Sequence, residues 1–233
     1  VALVELVGEF VDHHVRLRVR PGARVFPGQD HRTAFPGLAG RFLLVFVDHA
    51  RLVGLGAQRA SRVLELVRAV PDYPGPGITF RDITGLLADG EAFGHVVEAL
   101  GDVARAAGGI DLVAGMEARG FLVGAPLATH LGVGFVPLRK AGKLPPPTDA
   151  VTYDLEYGTA TIELRSGTLP PGARVLVVDD VLATGGTAAA GAELVERGGG
   201  VVVGLAFLLE LEGLGGRERL AGRDVTTLVH VES

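Results

Sequence analysis

The chain has 233 residues, of which 48% are hydrophobic and 21% are charged, and it contains no cysteine. This composition is typical of a globular protein with a sizeable core, and it excludes an intrinsically disordered chain, disulfides and thiolate metal sites. The formal net charge of −5 argues against a general nucleic-acid-binding surface. The apolar runs are shorter than the roughly 18 residues of a membrane span, and no signal peptide is recognisable, so we expect a soluble cytoplasmic protein.

Residues 1–60 form the most basic part of the chain, with eight arginines against five acidic residues. Valine and arginine alternate with period two over residues 15–20, which is typical of a strand and unlike a helix-turn-helix. A metal site of Asp12, His13 and His14 is the weaker interpretation, and histidines without a role are the stronger one. We expect this segment to be an upstream extension from a misassigned start, with the functional domain spanning residues 61–233.

The domain begins with alternating helical and extended patterns. Apolar residues recur at helical spacing over residues 61–70, which predicts a helix that ends before the proline-rich residues 71–77. Residues 78–84 predict a short extended piece. Residues 91–109 predict a second helix that ends at glycine.

The second half of the chain alternates apolar strands with helices. Strands are predicted at residues 110–116, 133–138, 173–180 and 200–211, and helices at residues 120–132 and 187–199. Strands that are apolar on both faces indicate an α/β fold with a mainly parallel twisted sheet flanked by helices. Ligands of such sheets bind at the carboxyl ends of the strands, where residues 116–120, 139–143 and 179–187 lie.

Two carboxylates, Asp179 and Asp180, end the third of these strands and precede a loop of small residues. Two adjacent carboxylates accept hydrogen bonds from a pair of hydroxyls or hold a hydrated cation, and neither is comfortable when buried. In residues 184–187, backbone N–H groups and hydroxyls converge at a helix N-terminus, which is an anion site. Together they indicate a ribose 5-phosphate site. The alternative is an ordinary strand-to-helix turn in which a threonine caps the helix.

The segment VLVVDDVLATGGT at residues 175–187 resembles the phosphoribosyl pyrophosphate (PRPP) signature of type I phosphoribosyltransferases. Three further segments, at residues 77–84, 116–121 and 138–158, resemble the adenine phosphoribosyltransferases within that family. The resemblance spans residues 61–230 in the family's order. It implies the type I phosphoribosyltransferase fold with a flexible lid loop, and transfer of phosphoribose from PRPP to adenine. It also implies Mg²⁺ that is carried by PRPP, without direct protein ligands.

The resemblance assigns roles to two groups of residues near the strand ends. Asp179 and Asp180 would bind the ribose hydroxyls, and the 5-phosphate would bind to Ala183, Thr184, Gly185, Gly186 and Thr187. The diphosphate loop of the family corresponds to Glu117, Ala118, Arg119 and Gly120. A planar Arg fork suits a phosphate, whereas the alternative is that Glu117 and Arg119 form a solvated surface pair of small energy.

Residues 139–156 are longer and richer in glycine and proline than an ordinary connection, and we predict that they form a lid. The only two lysines of the chain, Lys140 and Lys143, lie here. By the resemblance they and Arg139 bring positive charge to the diphosphate, while a solvated basic loop is the alternative. Pro146 stands where the family usually has glycine, and we expect it to stiffen the lid.

Glu156 matches the catalytic carboxylate of the family. Such a group exchanges a proton with the purine ring while the ribosyl group passes through an oxocarbenium-like state. Arg119 and Lys140 are grouped with it as catalytic. The neighbouring tyrosines, Tyr153 and Tyr157, either pack the lid or contact phosphate.

The base site is assigned to the segment around Phe80. By the resemblance, Phe80 stacks on adenine, and backbone groups of Ile78 and Arg81 read its exocyclic amine and ring nitrogens. A core phenylalanine flanked by a surface arginine is the alternative.

Two alternatives for the function remain open. Another purine or orotate is a possible acceptor, because the PRPP signature is shared between these enzymes. Some proteins of this fold are PRPP-sensing regulators with an added DNA-binding domain, for which residues 1–60 are the only candidate. A homodimer is expected from the resemblance alone.

Overall fold

The structure is a computed structural model that describes residues 6–11, 14–19, 32–36, 42–46, 55–154 and 158–232. Two antiparallel ladders precede residue 55, and they are formed by β1 (Leu6–Val11) with β2 (His14–Val19) and by β3 (Arg32–Pro36) with β4 (Phe42–Phe46). The predicted strand at residues 15–20 is thus confirmed as β2. Asp12 and His13 of the candidate metal site lie outside the described residues.

A seven-stranded sheet in the order β13-β12-β11-β7-β8-β10-β9 forms the centre of the domain. Its strands are β7 (Leu112–Met116), β8 (Gly134–Lys140), β9 (Thr148–Asp154), β10 (Thr159–Arg165), β11 (Arg174–Leu182), β12 (Val201–Glu212) and β13 (Val225–Glu232). The five strands from β13 to β8 are parallel to their neighbours, whereas β10 is antiparallel to both β8 and β9. The prediction of a mainly parallel α/β sheet is confirmed.

Helices cover both faces of this sheet because its central strands are apolar on both sides. The helices are α1 (Gly56–Leu66), α2 (Thr84–Ala88), α3 (Gly90–Ala106), α4 (Arg119–Leu131), α5 (Gly186–Arg197) and α6 (Gly216–Arg219). Along β11, Leu176 and Val178 join the apolar cluster that includes α1 to α4, while Val175 and Val177 join the cluster of α5. None of the helices in the described ranges is long and apolar enough to cross a bilayer.

The helix predicted over residues 61–70 is wrong at its end. Helix α1 stops at Leu66, and β5 (Arg68–Val70) pairs antiparallel with β6 (Phe80–Asp82). Val70 precedes Pro71, and a residue before proline disfavours the α conformation. At its other end, α1 begins at Gly56, so the boundary proposed near residue 61 lies within a helix.

The lid region also contains more regular structure than the predicted loop. Strand β9 covers most of its second half and pairs with β10 along seven residues, from Thr148 opposite Arg165 to Asp154 opposite Thr159. Val151 of β9 and Ile162 and Leu164 of β10 are buried in the α5 cluster, which explains why these residues form a strand pair. Strand β13, which was not predicted, completes the other edge of the sheet.

Candidate active site

The site begins where β11 extends beyond its neighbour β7. Pairing of β11 with β7 ends at Val178, opposite Gly115, and Asp179 and Asp180 follow within the same strand. Asp180 is 3% exposed and is the only buried charged residue of the described chain. Both carboxylates therefore stand at the carboxyl end of the central strands, as the sequence predicted.

The two carboxyl groups are held close together in a partly desolvated place. The backbone N–H of Asp180 donates to Oδ1 of Asp179 at 2.9 Å. Burial raises the pKa of Asp179 well above its usual value, and the like charge of Asp180 raises that pKa further. Burial also raises the pKa of Asp180, and the Arg119 guanidinium opposes this. A buried carboxylate pair gains from hydroxyl donors, so the two side chains suit a ligand with a pair of hydroxyls.

Arg119 is the positive partner of this pair. Its Nε lies 3.0 Å from Oδ2 of Asp180, but Oδ2 accepts no hydrogen bond from any described residue. The contact is thus an ion pair by distance without the direction of a hydrogen bond. Oδ2 of Asp180 remains an acceptor for a ligand, because a buried acceptor without a hydrogen bond is costly.

Gly120 lets the start of α4 approach these carboxylates closely. A Cβ atom at this position would lie 2.9 Å from both Oδ1 of Asp179 and the carbonyl oxygen of Val178. Any side chain at residue 120 would displace the strand or the carboxylate. Only glycine therefore fits between α4 and the end of β11.

Residues 183–187 form a cradle between β11 and α5. A cavity of about 80 Å³ is lined by Asp179, residues 181–188 and Phe207. Gly185 has a φ of 76°, which favours glycine, and α5 begins at Gly186. The first N–H groups of a helix have no intrahelical partners and carry the positive end of its dipole, so this cavity suits an anion.

Helix α6 supports the cradle from behind. A Cβ on Gly185 would lie 2.7 Å from the carbonyl oxygen of Gly216. The neighbouring Arg217 donates from Nε to both carboxylate oxygens of Glu210, at 3.0 and 2.9 Å, and from Nη2 to Oγ1 of Thr227 at 2.8 Å. Sequence analysis missed this network, whose only signal is an arginine after paired glycines.

The side chain of Arg119 also reaches Phe80 on β6. Its guanidinium carbon lies 4.8 Å from the centre of the Phe80 ring, a cation–π distance. Its Nη1 donates to the carbonyl oxygen of Arg81 at 3.2 Å. Tyr73 packs edge-on against the same ring, with the ring centroids 5.3 Å apart. Arg119 thus connects the predicted base site with the predicted ribose site.

The other two predicted base-site residues lie beside Phe80. The N–H of Ile78 donates to Gly75 at 3.2 Å, and its carbonyl accepts from the N–H of Tyr73 at 3.1 Å. These bonds leave the Ile78 carbonyl one lone pair for a ligand. The Arg81 guanidinium donates to the Glu232 carbonyl, which ties β6 to the end of β13.

Glu117 faces the base of the lid and does not pair with Arg119. Its carboxylate accepts from the backbone N–H of Lys140 at 2.8 Å and from Nε and Nη2 of Arg139, each at 3.3 Å. Burial raises the pKa of Glu117, but these donors outweigh it and the net shift is downward. The alternative of a Glu117–Arg119 surface pair is therefore wrong. The peptide between Glu117 and Ala118 is cis.

The lid carries the remaining predicted residues. The side chains of Lys140 and Lys143 are exposed, and neither forms an ion pair within the described parts of the chain. Pro146 is exposed in the lid turn, and its effect on lid motion stays a prediction. Glu156 and Tyr157 lie outside the described residues.

A family model described as "Phosphoribosyl transferase domain" matches residues 85–227. Adenine phosphoribosyltransferase of Thermobifida fusca is 57% identical over 165 residues, which are 71% of this chain and 93% of the relative. The chain belongs to the adenine phosphoribosyltransferase family. Within that family, the enzyme of Kineococcus radiotolerans is 59% identical over 186 residues, covering 80% of this chain and 96% of its own.

Solved structures of the adenine phosphoribosyltransferase family share the fold. The protein of Thermoanaerobacter pseudethanolicus has a TM-score of 0.72 and 48% identity, covering 74% of this chain and 99% of its own. The Saccharomyces cerevisiae protein, solved with adenine and an imino-altritol bisphosphate, has a TM-score of 0.70 and 38% identity, with coverages of 73% and 98%. The predicted family and fold are confirmed.

Proposed function

We propose that this chain transfers the 5-phosphoribosyl group of PRPP to N9 of adenine, giving AMP and diphosphate in purine salvage. The observation that supports this proposal best is the position of Arg119. One side chain contacts the buried Asp180 carboxylate and the ring of Phe80, so a sugar at the first and a base at the second lie side by side. That proximity is what a ribosyl transfer requires.

The sugar phosphate binds first to the rigid side of the site. The 5-phosphate enters the cradle, where it meets backbone N–H groups and the hydroxyls of Thr184 and Thr187. Asp179 and Asp180 accept hydrogen bonds from the ribose hydroxyls, which satisfies the open Oδ2 of Asp180. The sugar is then fixed at both ends.

The leaving diphosphate is met by cations from two elements. Arg119 and the backbone of Ala118 and Gly120 lie on one side, and Arg139, Lys140 and Lys143 of the lid lie on the other. Glu117 does not bind the diphosphate in this proposal, because it anchors Arg139 and the Lys140 amide. These local cations oppose the repulsion between a polyanionic substrate and an acidic protein.

Mg²⁺ accompanies PRPP in this proposal. Asp179 and Asp180 offer oxygen donors of the kind that Mg²⁺ prefers, but an octahedral ion needs further oxygens from substrate and water. The fit thus supports an ion held mainly by PRPP, next to the two carboxylates. When bound, it neutralises charge that develops on the diphosphate.

Adenine stacks on Phe80 and is deprotonated by Glu156. The carbonyl of Ile78 and the backbone of Arg81 read the base edge. Glu156 accepts the imidazole proton as N9 bonds to C1 of the ribose and the bond from C1 to diphosphate breaks. The family resemblance is the support for Glu156, and it is also the only support for a cytoplasmic homodimer.

Competing acceptors test the proposal directly. The purified chain is incubated with PRPP and Mg²⁺ and with adenine, hypoxanthine, guanine, xanthine or orotate, and nucleotide formation is followed by chromatography. We expect AMP from adenine and little product from the other bases. PRPP binding without turnover of any base would favour the regulator alternative.

A further inference from the structure

The cradle is joined to the lid side of the domain by one hydroxyl pair. The phenol oxygen of Tyr153 lies 3.1 Å from Oγ1 of Thr187. Tyr153 belongs to β9, and Thr187 is the second residue of α5. This contact connects β9, in the hairpin of β9 and β10, to a residue that the proposed function places against the 5-phosphate.

The surroundings of Tyr153 hold its ring in place without this hydrogen bond. The residue is paired with Ala160 across the hairpin, and its ring packs against the apolar cluster of α5. Removing only the hydroxyl therefore leaves both the strand pairing and the packing. The hydroxyl contributes a directed contact to Thr187 and little else that is structural.

A hydrogen bond from the Tyr153 phenol sets the direction in which the Thr187 hydroxyl points. A threonine hydroxyl has one proton to donate and two lone pairs. If the phenol donates to Oγ1 of Thr187, the threonine proton is free to point into the cradle. Two aligned donors then serve one phosphate oxygen in sequence, and such chains strengthen one another.

We propose that Tyr153 is a positioning residue whose hydroxyl couples strand β9 to the binding of the 5-phosphate in the cradle. Its hydroxyl orients the Thr187 hydroxyl toward the phosphate, and a bound phosphate in turn holds Tyr153 and the end of β9. This inference rests on the proposed function, since it assigns a role within the same site.

The Tyr153→Phe variant tests the coupling, because it removes the hydroxyl and keeps the ring. We expect the KM for PRPP to rise about three- to ten-fold, the effect of losing one neutral hydrogen bond. The KM for adenine and the Tm should not change. Binding of PRPP measured by calorimetry, without turnover, should weaken by the same factor.

Two matched controls separate positioning from a general effect. Thr152 and Thr161 form a second hydroxyl pair in the same hairpin, 2.8 Å apart and exposed, so Thr152→Val should leave the KM for PRPP unchanged. In a Thr187→Val background, Tyr153→Phe should not raise the KM for PRPP any further. In a Thr187→Ser background, which keeps the hydroxyl, Tyr153→Phe should raise this KM as it does in the wild type.

The proposal is overturned if Tyr153→Phe leaves PRPP binding unchanged, or if its effect is the same with and without the Thr187 hydroxyl. An equal effect of Thr152→Val would also overturn it. Failure of the proposed function gives a different result, namely a wild-type chain that forms no nucleotide from any base.

Discussion

The sugar-phosphate side and the base side of the site are built in different ways. The cradle of residues 183–187 is formed by backbone, glycines and a helix end, and α6 packs tightly behind it. The base side is held by long side chains, above all Arg119, which contacts both Phe80 and Asp180. The first region is a preformed anion site, whereas in the proposed function Arg119 must leave the ring of Phe80 before adenine can stack on that face.

Because of this difference, we expect the cradle to govern PRPP binding and the base side to govern turnover. In the proposed function, diphosphate would compete with Asp180 for the Arg119 guanidinium, since Arg binds phosphate through the same planar fork. Binding of PRPP to the preformed cradle then helps to free the face of Phe80. The comparison predicts that changes in the cradle alter PRPP binding, and that changes at the base side alter turnover.

The largest effect is expected from Glu156→Gln, on the base side. We expect kcat to fall by about 10²-fold or more with little change in the KM for PRPP, because only proton transfer is removed. A coupled assay of diphosphate release measures both constants. Near-normal turnover would remove Glu156 from the mechanism.

The next effect is expected from Gly120→Ala, which tests how rigid the cradle side is. The added Cβ would lie 2.9 Å from Oδ1 of Asp179, so the carboxylate or the strand must move. We expect the KM for PRPP to rise by about ten-fold or more, as in other cases of misplaced binding groups. Gly94→Ala in α3, where a Cβ meets no atom within 4 Å, is the matched control. Equal PRPP constants in both variants would contradict the assigned contact.

A smaller effect is expected from Asp180→Asn, which keeps the shape of the side chain and removes its charge. We expect the KM for PRPP to rise about three- to ten-fold through weaker hydrogen bonds to the ribose hydroxyls. The KM for adenine should stay nearly constant. An unchanged KM for PRPP in the steady-state assay would contradict the assignment of Asp180 to the ribose hydroxyls.

The smallest effect is expected from Asp179→Asn on thermal stability, which is measured without any ligand. Burial raises the pKa of Asp179. A carboxyl whose pKa is higher in the folded state favours folding below its unfolded pKa, and it loses that contribution as pH rises through the folded value. Asp179→Asn should therefore raise the Tm at neutral pH by about 2–4 °C, the shift expected for about 1 kcal/mol in a domain of this size.

The pH dependence supplies the control for this prediction. The increase in Tm caused by Asp179→Asn should shrink as pH falls toward the unfolded pKa of aspartate, because the carboxyl of the wild-type Asp179 then becomes neutral as well. Gly94→Ala, which changes no titratable group and adds a Cβ that meets no atom within 4 Å, should show no such trend in calorimetry. A Tm for Asp179→Asn that is lower than that of wild type at neutral pH would contradict the account.

The parts of the site that the sequence predicted are those built from contiguous residues. The turn from β11 into α5 combines a buried strand, two carboxylates and glycines within a short segment, so local patterns predicted its place and its chemistry. The same holds for the parallel strands β7, β8, β11 and β12. Only their ends shifted by a few residues.

The parts that sequence analysis missed depend on contacts between distant segments. The pairing of Arg119 with Asp180 joins residues 61 positions apart, and no local pattern distinguishes it from a pair with Glu117. Strand β9 follows a segment rich in glycine and proline, and its strand conformation comes from pairing with β10. The Arg217 network likewise needs β12 and β13 to lie side by side.

The joint action of the base site and the PRPP site is tested by measuring nucleotide formation by the purified full chain with PRPP, Mg²⁺ and equal concentrations of adenine, hypoxanthine and guanine. We expect AMP as the dominant product, with diphosphate released in equal amount. Dominant formation of another nucleotide, or no nucleotide at all, would mean that an adenine site at Phe80 does not act together with a PRPP site at Asp179 and Asp180.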